Sequence, residues 1–295
     1  MPYVKAQDGT ELFYEESGQG QPLVMIHGWP LSTRMWEYQM TVLSGQGIRC
    51  IAYDRRGFGR SDHPPQGYDF DTLADDLKAL MDALDLHDVT LAGFSMGGGE
   101  VARYMSRHRG ARVAKAVLIS AVTPYLLKTP ENVSGVDSTV FEGMLLNLSV
   151  DRPEFLTEFS KSFFGSGMLS SPVSASMLSA TCEDAMRASP IATMACVKAF
   201  SETDFRDDLK SFNVPTLIIH GDNDQTVPIE SSGQVTARLM PHAKFEIYSG
   251  APHGLFYTEK DRLNGDLAKF VLTPATFAMP PGVSDMEAER RARRG

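Results

Sequence analysis

The 295-residue sequence predicts an α/β fold, a mostly parallel sheet flanked by helices. One observation is a series of short, nearly continuous apolar runs, which are typical of strands buried on both faces. Another is that helix-like segments separate several of these runs, and alternation of strand and helix indicates a parallel sheet. The runs are PLVMIH (22–27), RCIAYD (49–54), VTLAGF (89–94), KAVLIS (115–120), PTLIIH (215–220) and KFEIYS (244–249).

A hairpin before these runs and two helices between them are predicted from their own residue patterns. Residues 3–16 alternate around Asp8-Gly9, which predicts a hairpin with a tight turn. Residues 71–86 carry leucines at helical spacing and therefore predict an amphipathic helix. Residues 97–108 predict a second helix, which directly follows the apolar run at 89–94.

The alternation of strand and helix stops between residues 124 and 212. This stretch is helix-like and rich in Met and Phe, without a clear strand. Helical material inserted at the carboxyl edge of a sheet can cover the place where such sheets bind ligands. We therefore predict a helical lid over 124–212, with ordinary helical packing as the alternative. The α/β core then comprises 1–123 and 213–273, and 274–295 form a loosely ordered C-terminal tail.

Charge and cysteine content narrow the class of protein. The net charge of −9 argues against nucleic acid or an anionic membrane as the main partner. The three cysteines share no C-x-x-C spacing, so we expect reduced thiols rather than a disulfide framework or a zinc site. The amino-terminal residues lack the apolar region of a signal peptide, and no apolar run has the length of a membrane span. A cytoplasmic protein is the expectation.

Residues 93–100, GFSMGGGE, contain two overlapping glycine motifs. Residues 93–97 fit the G-x-S-x-G nucleophile elbow, and residues 97–102 fit the G-x-G-x-x-A dinucleotide fingerprint. The fingerprint requires its first glycine at the end of a strand and an acidic residue after the next strand. Here the strand ends near Gly93, before the fingerprint begins, and the next strand ends without an acid. The sequence favours the elbow, with Ser95 as nucleophile on a strained turn.

A nucleophilic serine needs a base, and the base needs a group that orients it. Where a nucleophile elbow joins a strand and a helix of such a sheet, the serine comes first along the chain, then an acid, then a histidine. The loops GDNDQTVP (221–228) and GAPHG (250–254) each follow a predicted strand, at the same edge as the serine. His253 is the candidate base. Asp224 is favoured as the acid over Asp222, because a carboxylate directly after a glycine turn often braces its own loop.

Two backbone N–H groups are candidates for an oxyanion hole. One belongs to Met96, the residue after the nucleophile, and the other to Trp29, on the loop after an early strand. Three further side chains adjoin the catalytic positions in sequence. Phe94, Val227 and Leu255 are therefore candidates for the substrate pocket.

With these residues in place, the sequence resembles the α/β-hydrolase superfamily. Within it, the resemblance is to the cofactor-free bacterial haloperoxidases, which overlap with aryl esterases and perhydrolases. The motifs that carry it are HGWPLS (27–32), AYDRRGFGRSD (52–62), GFSMGGGEVARY (93–104), TLIIHGDNDQTVP (216–228) and APHG (251–254). The resemblance implies an α/β-hydrolase fold, with Ser95, Asp224 and His253 as catalytic triad and Trp29 and Met96 as oxyanion donors. It implies no cofactor, and neither haem nor vanadium nor another metal.

The resemblance also implies a function. A carboxylester hydrolase would act on small esters or lactones through an acyl-serine, with perhydrolase activity when hydrogen peroxide replaces water. The alternatives are a lactamase or a C–C bond hydrolase on the same triad, and a non-catalytic ligand receptor on the same scaffold. The partner is then a small molecule, and a homo-oligomer stays open.

Overall fold

A sheet of eight strands runs through the centre of the protein, in the order β1-β2-β4-β3-β5-β6-β7-β8. The structure is a computed structural model that describes residues 2–167 and 171–275. Pairs β1–β2 and β2–β4 are antiparallel, and the other neighbouring pairs are parallel. The strands are β1 (Tyr3–Lys5), β2 (Glu11–Ser17), β3 (Gln21–Ile26), β4 (Ile48–Tyr53), β5 (Val89–Phe94), β6 (Val113–Ile119), β7 (Thr216–Gly221) and β8 (Lys244–Tyr248).

Helices lie on both faces of this sheet. The predicted α/β fold with a mostly parallel sheet is confirmed, and the predicted strands match the observed ones to within two residues. The helices are α1 (Glu37–Leu43), α2 (Phe70–Ala83), α3 (Met96–Arg107), α4 (Ser138–Val150), α5 (Arg152–Phe163), α6 (Ala175–Met186), α7 (Pro190–Glu202), α8 (Gly233–Leu239), α9 (Leu255–Thr258) and α10 (Lys260–Leu272).

The central strands are apolar throughout because each face of the sheet packs on a separate hydrophobic cluster. Val24 of β3 belongs to the cluster that contains the leucines of α2, such as Leu77. Its neighbour Leu23 belongs to the opposite cluster, which contains Leu263 and Leu267 of α10. Successive side chains of a strand point to opposite faces, so a strand covered on both faces needs apolar residues at every position.

In the described part of the chain, four helices, α4 to α7, lie between β6 and β7, where the sequence predicts a helical insertion. Each begins at a side chain that accepts a hydrogen bond from a backbone N–H of the first turn, which favours a helix start at that residue. These N-cap residues are Asp137, Asp151, Ser174 and Ser189. Below, "helical insertion" means α4 to α7. The division of the chain into core, lid and tail stays a prediction.

The described part of the chain ends shortly after α10. Of the predicted tail, residues 276–295 lie outside the described residues. Among residues 2–167 and 171–275, no helix has both the length and the apolar character that a membrane span requires.

Candidate active site

Ser95 sits on a sharp turn between β5 and α3. Its backbone has φ 54° and ψ −118°, a left-handed conformation that costs energy for any residue with a side chain. The turn requires close approaches on both sides. A Cβ at Gly93 would overlap the Gly97 carbonyl, and a Cβ at Gly97 would lie 2.5 Å from the carbonyl oxygen of Ile26. The two glycines of G-x-S-x-G therefore permit the strand-to-helix turn that carries Ser95.

Gly98 and Gly99, which belong to the dinucleotide-like pattern, allow close packing of α3 against neighbouring residues. A Cβ at Gly98 would meet the side chain of Ala121, and one at Gly99 would meet the rings of Phe70 and Phe205. The first turn of α3 therefore packs directly against its neighbours. The run of glycines reflects the packing of one helix end.

The structure brings Ser95, His253 and Asp224 together at the carboxyl edge of the sheet. His253 Nε2 lies 3.0 Å from Ser95 Oγ, and His253 Nδ1 lies 2.6 Å from Asp224 Oδ2. All three side chains are buried. The three residues follow β5, β7 and β8, whose parallel strands end at the same edge. This arrangement has the geometry of a nucleophile, a base and an orienting acid.

The carboxylate of Asp224 is held on both oxygens. Oδ1 accepts hydrogen bonds from the N–H groups of Thr226 (2.9 Å) and Val227 (2.8 Å). Oδ2 lies 3.4 Å from Nε2 of His220 in addition to its contact with His253. Burial by itself would raise the pKa of Asp224, but the charge and hydrogen bonds of the two histidines outweigh it, so this pKa lies below its ordinary value. The carboxylate therefore stays ionised.

His220 had no assigned role in the sequence analysis. The side chain is fully buried, and Nε2 lies 2.9 Å from the carbonyl oxygen of Val227 as well as close to Asp224. The sequence feature that could have indicated a role for His220 was its position at the end of β7, directly before the loop that carries Asp224.

Asp222, the alternative acid, has a different contact. Its Oδ1 accepts a hydrogen bond of 2.5 Å from the N–H of Gly250, and this bond ties the loop after β7 to the loop after β8. The residue is exposed. The structure therefore places Asp224 beside His253 and Asp222 in a loop-bracing position.

The two candidate oxyanion donors lie next to Ser95 in the chain and on the loop after β3, and both Trp29 and Ser95 line the same cavity. Met96 is the first residue of α3, so its N–H has no partner in the preceding helical turn. Among the described residues, no group accepts a hydrogen bond from the N–H of Met96 or of Trp29. Gly28 lets the loop after β3 approach the nucleophile, since a Cβ there would lie 3.1 Å from the Cβ of Ser95.

A buried polar network braces the start of this loop. The guanidinium of Arg55 donates to the His27 carbonyl (2.8 Å), and the Arg55 N–H donates to His27 Nε2 (2.9 Å). Arg55 also forms a fully buried ion pair with Glu100 of α3, which accepts a hydrogen bond from the hydroxyl of Tyr53. Burial and the charge of Arg55 hold the pKa of His27 well below its ordinary value, so the ring stays neutral and can accept a hydrogen bond.

A cavity of about 190 Å³ lies between Ser95 and the helical insertion. Trp29 and Val227 form its wall on the core side, and none of its described lining residues is charged. The insertion contributes mostly apolar and aromatic side chains. They include Val140, Phe141, Met144, Phe155, Phe159 and Phe200.

Of the three predicted pocket residues, the structure places only Val227 among the described residues that line this cavity. The predictions for Phe94 and Leu255 are corrected. The ring of Phe94 packs against the ring of His253, with the two centroids 4.8 Å apart. Leu255 is fully buried in the cluster that faces α10. Proximity in sequence placed both beside the triad, but their side chains point into the core.

Comparison with known proteins agrees with the fold. Residues 21–260 match the alpha/beta hydrolase fold family, and the chain belongs to this family. Within it, the chain is 42% identical over 273 residues to a non-heme chloroperoxidase of Kitasatospora aureofaciens, covering 92% of this chain and 99% of that protein. It is 39% identical over 274 residues to a bifunctional esterase/perhydrolase of Acinetobacter calcoaceticus, with the same two shares covered.

A solved structure supports the same placement. A bromoperoxidase from Bacillus anthracis, whose crystal structure is known, is 47% identical in sequence to this chain. The two structures superpose with a TM-score of 0.88 over 91% of this chain and 98% of that one. The resemblance to non-heme haloperoxidases is therefore confirmed, and the chain is a hydrolase by family.

Proposed function

We propose that this protein is a serine carboxylester hydrolase that acts on small esters or lactones through an acyl-serine intermediate. The observation that carries the proposal is the hydrogen-bonded series from Ser95 Oγ through His253 to Asp224, with contacts of 3.0 and 2.6 Å. Such a series allows the histidine to remove the serine proton as the oxygen attacks a carbonyl.

Each step is assigned to a group of this site. Ser95 Oγ forms a bond to the ester carbonyl carbon, and His253 Nε2 takes the hydroxyl proton. The N–H groups of Trp29 and Met96 donate hydrogen bonds to the carbonyl oxygen and stabilise the negative charge that develops on it. The bond to the leaving alcohol then breaks, and His253 returns the proton to it. Water repeats the sequence on the acyl-serine and releases the acid.

The cavity indicates the size and charge of the substrate. An apolar cavity of about 150 Å³ holds a benzene molecule, and the cavity beside Ser95 has about 190 Å³. A neutral group of roughly the size of a phenyl ring or a short alkyl chain therefore fits. A charged substituent would lose its hydration there without an ionic partner among the described lining residues.

Perhydrolysis is the companion activity that we propose. The relative from Acinetobacter is named an esterase/perhydrolase, which supports it. Hydrogen peroxide would attack the acyl-serine carbonyl in place of water, and His253 would take one peroxide proton. The bond between the carbonyl carbon and Ser95 Oγ then breaks, the proton moves to Oγ, and a peracid leaves.

The test of ester hydrolysis is turnover of p-nitrophenyl acetate, combined with titration by a serine-directed phosphonate. We expect turnover, complete loss of activity at one label per chain, and the label on Ser95. A panel of esters of increasing acyl length, with lactones and lactams included, then identifies the scissile bond. A folded protein that hydrolyses none of them contradicts the proposal and favours a ligand receptor.

The test of perhydrolysis is the yield of peracid relative to acid from one ester at fixed hydrogen peroxide. Absence of peracid would leave a plain esterase. A cytoplasmic location remains a prediction that fractionation would check, and sedimentation would determine the oligomeric state, which is open.

A further inference from the structure

The side chain of Trp29 is held by the helical insertion rather than by the core. Trp29 belongs to the loop of residues 27–33, called here the oxyanion loop. Its indole Nε1 donates a hydrogen bond of 3.0 Å to the carbonyl of Thr193 on α7. Its ring packs against Phe159 of α5 and Phe200 of α7, with centroids 5.2 and 5.7 Å away. The residue that offers one oxyanion donor is therefore anchored across the cavity.

A second attachment joins the same loop to α6. Both oxygens of Asp184 bind Ser32: Oδ2 accepts its backbone N–H (2.9 Å) and Oδ1 accepts its hydroxyl (2.6 Å). Asp184 is 5% exposed, so water cannot easily replace these bonds. The next N–H along the loop, that of Thr33, donates to Asp54 of the core at 2.7 Å. Consecutive amides are thus held by two buried carboxylates, one from the insertion and one from the core.

The position of the Trp29 N–H depends on the peptide units around it. The start of the oxyanion loop is braced by Arg55, while the attachments at Trp29 and Ser32 come from the insertion. A displacement of about 1 Å at a reacting centre can cost about 100-fold in rate. Complete loss of one oxyanion donor costs about 100- to 1,000-fold in kcat. Attachments that set this loop therefore affect the transition state more than substrate binding.

We propose that Asp184 is a positioning residue for the oxyanion hole, so that the helical insertion helps to stabilise the transition state as well as to enclose the substrate. This inference rests on the proposed ester hydrolysis. Asp184 acts through Ser32 and the Trp29 N–H and does not touch the substrate.

The test compares Asp184→Ala with Asp184→Asn and with a matched control. In Asp184→Ala both bonds to Ser32 are lost, and we expect kcat to fall about 10- to 100-fold with KM changed less than about threefold. Asparagine can accept the Ser32 N–H and donate to its hydroxyl, so Asp184→Asn should stay within about fivefold of wild type. The control is Asp208→Ala, which also removes a buried carboxylate but one paired with Arg103.

A second readout separates positioning from general destabilisation. The affinity for a boronic acid, which mimics the tetrahedral intermediate, should fall in parallel with kcat in Asp184→Ala. The affinity for the product acid should change little. Asp208→Ala should lower the melting temperature without this selective loss. The inference is overturned if Asp184→Ala keeps kcat within twofold, or if a folded Asp184→Asn loses as much as the alanine variant.

Ser32→Ala supplies the test if Asp184→Ala does not fold. It removes one of the two bonds, and we expect an intermediate loss of about 3- to 10-fold in kcat and in boronic acid affinity. Unchanged values for both would overturn the inference. Failure of the proposed function would look different, because wild type itself would then show neither ester turnover nor a phosphonate label on Ser95.

Discussion

The carboxyl edge of the sheet and the helical insertion meet at the same cavity but are built from different interactions. At the edge, Ser95, His253 and Asp224 are joined by polar contacts of 2.6 and 3.0 Å. The insertion presents mostly apolar side chains, such as Phe141 and Met144, to a cavity whose described lining is uncharged. The comparison teaches that the edge supplies the groups proposed for the reaction, while the insertion shapes the cavity and also holds the loop of Trp29 through Thr193 and Asp184.

The largest effect is expected at the edge, from Ser95→Ala. Without the hydroxyl no acyl-serine forms, so kcat should fall about 10⁴- to 10⁶-fold and phosphonate labelling should disappear. The measurement is p-nitrophenyl acetate turnover after removal of contaminating esterases. Residual activity above about 1% of wild type would show that another group is the nucleophile.

Asp224→Asn should cost about 10⁴-fold in kcat, because an amide no longer stabilises the histidine tautomer and charge that the reaction needs. Asp222→Asn is the matched control on the same loop. It weakens only the hydrogen bond to Gly250, so it should lower the melting temperature by a few degrees at most and leave kcat within a fewfold. A reversed ranking of the two variants would move the acid to Asp222.

The cavity wall that the insertion contributes should affect the range of substrates. Met144→Ala enlarges the cavity, and we expect kcat/KM for a long-chain p-nitrophenyl ester relative to the acetate to rise about tenfold. Leu148→Ala on the same helix is the control, since Leu148 is buried away from the described lining. An equal change in both variants would mean that helix stability, not the cavity, sets the preference.

The smallest expected effect is on the pH dependence of folding stability. It compares Asp224, at the carboxyl edge of the sheet, with Asp184, in the helical insertion. Burial raises the pKa of Asp184 above its ordinary value despite the hydrogen bonds from Ser32, whereas the neighbouring histidines lower that of Asp224. Ionised Asp224 therefore contributes stability that is present above its unfolded-state pKa and is lost as pH falls. Ionisation of Asp184 removes stability as pH rises through its folded-state pKa.

Urea denaturation between about pH 2 and pH 7 measures this contrast, because the Asp224 contribution changes only at and below the ordinary pKa of an aspartate, whereas that of Asp184 changes above it. As pH rises, the free energy of unfolding of Asp184→Asn should increase relative to that of wild type. The free energy of unfolding of Asp224→Asn should decrease relative to that of wild type. Parallel pH profiles for the two variants would contradict the opposite pKa shifts.

Much of the site could be predicted because its signals are local. The turn at Ser95 needs small residues two positions before and after it, and the structure shows backbone contacts at Gly93 and Gly97 that exclude a Cβ. The loops that carry Asp224 and His253 follow strands, and parallel strands bring their carboxyl ends to one edge. Chain order and strand periodicity therefore sufficed to name all three residues as candidates.

Side-chain direction could not be predicted in the same way. Phe94 and Leu255 adjoin the catalytic residues in sequence, yet both point into the core. Asp184 carried no signal, because its partner Ser32 is 152 residues away along the chain. Nor did the motif around Glu100 reveal its buried pairing with Arg55. These contacts depend on how distant helices dock.

By itself, the sequence determined the fold class, the nucleophile turn and the candidates for base and acid. Their physical causes are short-range: alternating side-chain directions in strands, the space that glycine leaves, and the order of loops along a parallel sheet. Only the tertiary structure decided the cavity wall, the attachment of Trp29 to α7 and the bond between Asp184 and Ser32. Such contacts join segments far apart in the chain, and their geometry exists only once the helical insertion has packed against the core.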